Sequence, residues 1–226
     1  MHLAYLPQLL ARNVISPIAM PCWITSPLHL IRQEPRILLI EVPKELPEQV
    51  GIAILNELAV FDRVHTIFYS LCENSVEIIN KLMTQLQEVE TLAHGDTSFA
   101  KEILRFANPE KALEKAPLYI IEKRVGIEQL CHDIHSLMAH EDFSKKRLKV
   151  IIISDLLSLS DFKNATDRRA TAQNALLSLK QMLSQHKISF VVMSNAPLHD
   201  LFPAKQIQKA FATINKNEYP LETILI

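Results

Sequence analysis

Short runs of apolar, mostly β-branched residues alternate along the chain with segments in which apolar residues recur at helical spacing. The short runs are apolar almost without interruption, which is typical of strands that are buried on both faces of a parallel sheet. There are five such runs, at residues 36–41, 64–70, 118–122, 148–154 and 188–194. The pattern therefore predicts at least five strands, joined by helices.

Three segments carry the helical pattern, one after the second run and two on either side of the fourth. The first begins with Asn74 and Glu77 in capping-box order. Its predicted apolar face is Val76, Ile79, Leu82, Met83 and Leu86. The faces of the other two are Ile127, Leu130, Cys131, Ile134 and Met138, and then Ala172, Ala175, Leu176, Leu179 and Leu183. Strand, helix and strand in this order predict an α/β fold with helices on both faces of a mostly parallel sheet.

The two ends of the chain differ from this pattern. Residues 210–215 and 221–226 are apolar and are separated by a polar segment with a proline, which predicts a C-terminal β-hairpin. Residues 1–30 contain four prolines and a short leucine-rich stretch. We expect an N-terminal arm over 1–30 and one α/β domain over 31–226.

Composition narrows the class of protein. A chain of 226 residues with 48% hydrophobic side chains can bury a large core, which excludes a disordered protein. The net charge of -1 provides no overall attraction to nucleic acid or to an anionic membrane, so such binding would have to be local. The three cysteines are far apart and lie in apolar sequence, as reduced thiols of a cytoplasmic protein do. No apolar run approaches the length of a membrane span, so we expect no membrane partner.

Polar residues stand where the strands of the predicted sheet end, which is where parallel sheets bind ligands. These residues are Glu41, Ser70 to Glu73, Asp155, and Ser194 with Asn195. Asp155 follows an Ile-Ile-Ile run, as does the acid that holds Mg²⁺ in the Walker B pattern, although an acid in this place also serves as a simple cap. One hypothesis is therefore an enzyme that uses Asp155, Glu73 and Ser194 in a metal-assisted or small-anion reaction.

Several stretches, taken in order, resemble the motor domain of RecA-like ATPases, in particular the replicative hexameric helicase (DnaB-like) branch. Thr66 to Ser75 is similar to the family's strand followed by S-L-E-M-S, and Val150 to Leu159 to its I-V-I-D-Y-L-Q-L. Arg169 with the helix over 175–186 resembles the family's arginine and following helix. Phe190 to Asn195 and Asn215 to Leu225 resemble its sensor strand and its terminal hairpin. The resemblance covers about residues 24–226 and implies a RecA-like three-layer domain.

The family's phosphate-binding loop has no counterpart in this chain. Such a loop needs glycines, because its backbone N–H groups must approach the phosphates, and a lysine to neutralise them. Residues 41–49 contain no glycine, two prolines and three glutamates. Each close pair of a carboxylate and a phosphate costs about 1 kcal/mol even in bulk water. We therefore expect no nucleotide and no other cofactor. Lys44 could stand in for the family's phosphate-binding lysine, but without the glycine loop it does not change this expectation.

Two further positions depart from the family. The acid that polarises the attacking water in the family is replaced by Cys72, with Glu73 one residue later. At the hairpin, Lys216 matches the family's lysine, but Glu218 stands where the family has an arginine that reaches the neighbouring subunit's γ-phosphate. Both changes predict that the protein is not an enzyme.

The chain also carries candidate residues for a metal site and for nucleic-acid contacts. Cys131 lies on the apolar face of its predicted helix, whereas His132 and His135 lie on the opposite face, so no metal site is expected. In RecA-like proteins the loops after the fourth and fifth strands touch DNA. The cations at these loops are the candidate DNA contacts: Lys163, Arg168, Arg169, Lys205 and Lys209.

The leading hypothesis is a non-catalytic RecA-like accessory or regulatory subunit of a DNA replication, recombination or mobile-element assembly. Its partner would be a protein, either another RecA-like subunit or a second copy of itself, with DNA as a further candidate. The residues expected at such an interface are Leu6, Leu9, Leu10, Lys216 and Glu218. An interaction module of a complex without DNA stays open as an alternative.

Overall fold

The structure is a computed structural model that describes residues 28, 31, 35–42, 47–71, 74–93, 108–139, 149–203 and 221–224. Six strands form one sheet in the order β3-β2-β4-β5-β1-β6. The strands are β1 Ile37–Glu41, β2 His65–Ser70, β3 Leu118–Glu122, β4 Lys149–Ile153, β5 Ser189–Ser194 and β6 Leu221–Ile224. Each neighbouring pair is parallel. The five predicted strands are confirmed, within a residue or so at each end.

The helices connect these strands as crossovers. They are α1 Pro47–Leu55, α2 Ser75–Ala93, α3 Pro109–Glu114, α4 Ile127–Ala139, α5 Arg168–His186 and α6 Leu198–Leu201. A π-helical turn, Asn56–Phe61, extends α1, and two 3₁₀ turns, Leu156–Ser158 and Ser160–Phe162, follow β4. The three predicted helices correspond to α2, α4 and α5, whereas α1, α3 and α6 were not predicted.

The sheet separates two apolar cores, because successive side chains of a strand point to opposite faces. In β1, Ile37 and Leu39 pack into the core that is covered by α4, α5 and α6. Leu38 and Ile40 pack into the other core, which α1 and α2 cover. Helix, sheet and helix therefore form three layers, and the predicted α/β fold of RecA-like type is confirmed in its layers and its parallel order.

The predicted apolar face of α2 is wrong in part. Among residues 75–87, whose side chains the structure describes, Ile78, Leu82 and Leu86 are buried, whereas Val76 is 64% and Ile79 is 41% exposed. Side chains four residues apart lie on one face of a helix, so Ile78 fixes the orientation of the first turns. Val76 and Ile79 stand beside that face rather than on it.

The two ends of the chain are described only in part. The second arm of the predicted hairpin contains β6, which pairs in parallel with β1, whereas residues 210–215 lie outside the described residues and the hairpin is not confirmed. Leu28, near the end of the predicted arm, and Ile31 are fully buried in the core on the α1 side. The remaining arm residues lie outside the described part, so the boundary at residue 30 stays a prediction.

Candidate functional site at the carboxyl edge of the sheet

The strand ends that were expected to carry ligand chemistry lie together at one edge of the sheet. Parallel pairing in register brings the ends of β1, β5, β4, β2 and β3 side by side. We call this the carboxyl edge. Its polar groups are the side chains that end the strands and the N–H groups of the helices that begin there.

Asp155, the candidate Mg²⁺ ligand after β4, caps the first 3₁₀ turn. Its Oδ1 accepts a hydrogen bond from the Leu157 N–H at 3.3 Å, and its Oδ2 accepts one from the Ser158 hydroxyl at 2.7 Å. Both carboxylate oxygens are therefore used within the chain, which is the simpler of the two roles that the sequence left open.

Glu41, the last residue of β1, caps the short helix α6. Its Oε2 accepts a hydrogen bond from the Leu198 N–H at 2.8 Å. Ser194, at the end of the neighbouring β5, is buried, and its hydroxyl oxygen lies 3.2 Å from the Ala196 N–H and 3.1 Å from the Ala196 carbonyl. Both side chains therefore bond to backbone groups of the same short segment, 196–198.

Backbone N–H groups at the start of α2 also donate hydrogen bonds to side chains of the chain itself. Asn74 Oδ1 accepts from the Glu77 N–H at 2.8 Å, as the sequence predicted for a cap. Glu122, which ends β3, accepts from the Ser75 N–H at 3.0 Å. A carboxylate from another strand thus lies at the N-terminus of α2, where the helix dipole favours an anion.

The starts of α4 and α5 each carry an aspartate. Asp161 Oδ2 accepts from the Ile127 N–H at 2.7 Å, which ties the loop after β4 to α4. Gly126 permits this approach, because a Cβ there would lie 2.9 Å from Asp161 Oδ2. Asp167 Oδ1 accepts from the Ala170 N–H at 3.0 Å at the start of α5.

The chain's own acids thus occupy the places at which an anionic ligand binds in many parallel-sheet proteins. Helix N-termini attract phosphate because their first N–H groups lack partners and carry partial positive charge. At the starts of α2, α4, α5 and α6 an N–H already donates to a carboxylate or a side-chain amide. A phosphate there would have to displace an acid from its hydrogen bond and would meet its negative charge.

The connection from β1 to α1, where a RecA-like ATPase has its phosphate loop, is described only at its ends. Residues 43–46 and the side chains of 47–49 lie outside the described residues. The first glycine after β1 is Gly51, within α1, where a Cβ would lie 2.9 Å from Met193 Cε. Gly51 thus lies in a helix beside the side chain of Met193 and is not part of a loop around phosphates.

The predicted DNA contacts are placed in part. Lys163, Arg168 and Arg169 are exposed and lie at the carboxyl edge, after the second 3₁₀ turn and in the first turn of α5. The Arg169 guanidinium also donates to the backbone carbonyls of Asp200, at 3.2 Å, and His199, at 3.4 Å. Arg169 therefore joins α5 to α6, whereas Lys163 and Arg168 extend from the edge.

The other predicted site residues lie outside the described part of the chain. They are Lys205 and Lys209 of the DNA set, Leu6, Leu9, Leu10, Lys216 and Glu218 of the interface set, and Cys72 and Glu73 at the end of β2. These assignments stay predictions.

The described residues contain no group of three or more histidine, cysteine or acidic side chains arranged to hold a metal ion. Cys131 packs against the core, and its burial raises the pKa of the thiol to about 11. No helix in the described part of the chain is long and apolar enough to cross a membrane.

Sequence reasoning missed the acids that do most of the capping. Asp167 stands directly before an apolar-periodic segment, so its role was readable from the sequence. Glu41 reaches Leu198 across 157 residues and Asp161 reaches Ile127 across 34. Contacts over such separations follow from the sheet order and have no local signal.

No protein-family model and no curated protein matches the chain. Among solved structures, the chain is similar to an ATPase domain, with a TM-score of 0.52 and 14% identity over 77% of this chain. It is also similar to a DnaB-like replicative helicase that was studied with its interactions with primase, with a TM-score of 0.50 and 12% identity over 77% of this chain. The chain spans 59% of the first structure and 40% of the second. Likeness at such low identity establishes the fold, which is the RecA-like α/β fold.

Proposed function

We propose that this protein is a non-catalytic RecA-like accessory or regulatory subunit of an assembly that acts on DNA in replication, recombination or mobile-element transfer. It works through protein interfaces, and through DNA at the exposed cations of the carboxyl edge. It binds no nucleotide.

The observation that carries the proposal is the use of the carboxyl edge by the chain itself. An ATPase keeps helix N–H groups and an acid free for phosphate and Mg²⁺. Here Asp155 is engaged by Leu157 and Ser158, and Glu41 by Leu198. Together with the absence of glycine between β1 and α1, this favours a scaffold without phosphate chemistry.

The part of the proposal that concerns a replication or recombination assembly rests on similarity of fold. The two similar solved structures are an ATPase domain and a replicative helicase. RecA-like domains assemble side by side, which makes another such domain, or a second copy of this chain, the expected protein partner.

Turnover tests the non-catalytic part. Phosphate release from Mg²⁺-ATP is measured with and without single-stranded DNA, with an active DnaB-like ATPase domain as the positive control. We expect no release above the rate in buffer. Turnover that is lost in Asp155→Asn would overturn the proposal, because that variant keeps a cap but removes a carboxylate.

Salt-dependent binding tests the DNA part. We expect single-stranded DNA to bind weakly, with an affinity that falls as salt rises. Lys163→Ala and Arg168→Ala should each reduce the slope of log affinity against log salt by about one. Lys180→Ala, which removes a half-buried cation further along α5, away from its first turn, is the matched control. No binding at low salt would favour an interaction module whose partner is not DNA.

A further inference from the structure

Two histidines meet between α4 and α5, at the end of the sheet opposite the carboxyl edge. The Nδ1 of His135 lies 3.0 Å from the Nε2 of His186. The ring centroids are 5.0 Å apart and the rings are inclined by 68°. His135 is one turn from the end of α4 and His186 is the last residue of α5. The pair therefore joins the C-terminal ends of two helices that pack on the same core.

The contact depends on how many protons the pair holds. Two ring nitrogens at hydrogen-bond distance need one donor and one acceptor, so the pair is bonded when both rings are neutral or when it carries one extra proton. With two extra protons, both facing nitrogens are donors and both rings are cations. The hydrogen bond is then lost and repulsion replaces it.

The neighbouring groups determine how much positive charge the histidine pair can carry. The C-termini of α4 and α5 favour a single positive charge. Lys149, at the start of β4, is only 8% exposed and brings a further positive charge near His186. On α4, His132 stands one turn before His135, and Asp133 is held by Lys123 at 3.0 Å and by Gln129 at 2.7 Å. Lys187 follows His186 on the chain.

The connection between α4 and β4 lies outside the described residues, and its sequence carries charges of both signs. Its titratable and charged residues are His140, Glu141, Asp142, Lys145, Lys146 and Arg147. Among the described residues, Lys149 is the charged neighbour that acts on His186 besides His135.

We propose that the His135–His186 contact is a pH-sensitive interlock between α4 and α5, closed near neutral pH and released by a second proton in acid. Release separates the last turns of the two helices and loosens the packing of α4 on α5. The carboxyl edge and its caps lie at the other end of the sheet and stay as they are.

The direction of the pH effect follows from linkage. Burial, and then the charges of His135 and Lys149, lower the pKa of His186 below its ordinary value. A histidine with a lowered folded-state pKa stabilises the fold above its unfolded-state pKa of about 6.5. That stability is lost as the pH falls from this value toward the lower pKa of the folded state. Because the charge of His135 is one cause of the lowered pKa, the loss follows the second proton that the pair takes up.

A double-mutant cycle tests the interlock. His135→Gln, His186→Gln and the double variant are unfolded in urea at about pH 7.5 and about pH 5, on either side of the histidine range. We expect the two single changes to be coupled by roughly fivefold in the unfolding equilibrium at the higher pH. At the lower pH the coupling disappears or changes sign. Coupling that is absent at the higher pH, or equal at both, overturns the proposal.

His132→Gln is the matched control, since it removes a histidine of the same helix that does not contact His186. It should show no coupling to His186→Gln at either pH. An NMR titration of the imidazole Cε1 protons does not depend on the stability of the variants. In the unaltered protein we expect the pKa of His186 to lie below the ordinary histidine value, and in His135→Gln we expect it to move back toward that value. A pKa of His186 at the ordinary value, unchanged in His135→Gln, overturns the proposal.

Discussion

The centre of the sheet and its carboxyl edge preserve the resemblance to RecA-like ATPases to different degrees. In the sheet, the strand order and parallel register are those of the fold, and β1, β4 and β5 are almost entirely buried. At the edge, the acids cap helices and turns of the same chain. The sheet thus carries the likeness of fold, whereas the acids at its carboxyl edge bond within the chain.

The difference follows from what each region requires. Burial needs only apolar side chains of suitable volume, and many sequences satisfy it. Phosphate binding needs particular residues, namely glycines with free N–H groups, a lysine and an unoccupied acid. A chain can therefore keep the fold of an ATPase domain at 14% identity, whatever residues stand at its carboxyl edge. We therefore expect substitutions in the core to lower the free energy of unfolding more than substitutions at the carboxyl edge.

Removal of core volume should have the largest effect. Phe190 is fully buried in β5, beside Ile37 of β1 and Ile151 of β4. We expect Phe190→Ala to lower the free energy of unfolding by about 3–5 kcal/mol, because it deletes a ring and leaves a cavity. Urea denaturation measures the change.

Leu177→Ala is the control for this core variant. Leu177 is a large apolar residue on α5 that is 57% exposed. Its truncation should change the free energy of unfolding by less than about 0.5 kcal/mol. Equal effects of the two variants would mean that Phe190 is not packed as described.

Loss of an edge cap should have an intermediate effect. Glu41→Ala removes the acceptor of the Leu198 N–H and should cost about 1–2 kcal/mol in the free energy of unfolding, since the bond is partly buried and involves a charged acceptor. Glu41→Gln keeps a side-chain oxygen and should cost less. If Glu41→Ala were neutral, the cap of α6 would not contribute to stability as we infer.

Substitutions of Asp155 should have the smallest effect on the free energy of unfolding. They also distinguish most clearly between a cap and a metal ligand. Asp155→Ala loses both acceptor contacts and should cost about 1 kcal/mol, whereas Asp155→Asn should cost under about 0.5 kcal/mol because asparagine is as good a cap. Thermal unfolding with and without Mg²⁺ completes the test. Stabilisation by Mg²⁺ that Asp155→Asn abolishes would identify a metal ligand instead.

Much of the fold was readable from the sequence, because buried parallel strands such as Val150 to Ile153 are continuous apolar runs. Helix α1 was missed, since the prolines and acids around residues 43–48 indicate a loop. The orientation of α2 was partly wrong, because Val76 and Ile79 are as apolar as Ile78 and only packing decides which of them is buried.

Less of the candidate site was readable. The sequence showed where the strands end and that residues 41–49 lack glycine. It also offered capping as one role of Asp155. It did not pair Glu41 with Leu198, Asp161 with Ile127, or His135 with His186. Each of these contacts joins elements that are distant in the chain, so it depends on the order of strands and on how the helices cross the sheet.

Calorimetric titration of the unaltered protein with ATP in the presence of Mg²⁺ tests the central claim most directly. The account predicts no saturable heat up to millimolar nucleotide. A dissociation constant of about 1 mM corresponds to a binding free energy of only about 4 kcal/mol. Saturable binding with micromolar affinity, corresponding to about 8 kcal/mol, would contradict it. Such a result would mean that the connection after β1 binds a polyphosphate without glycines.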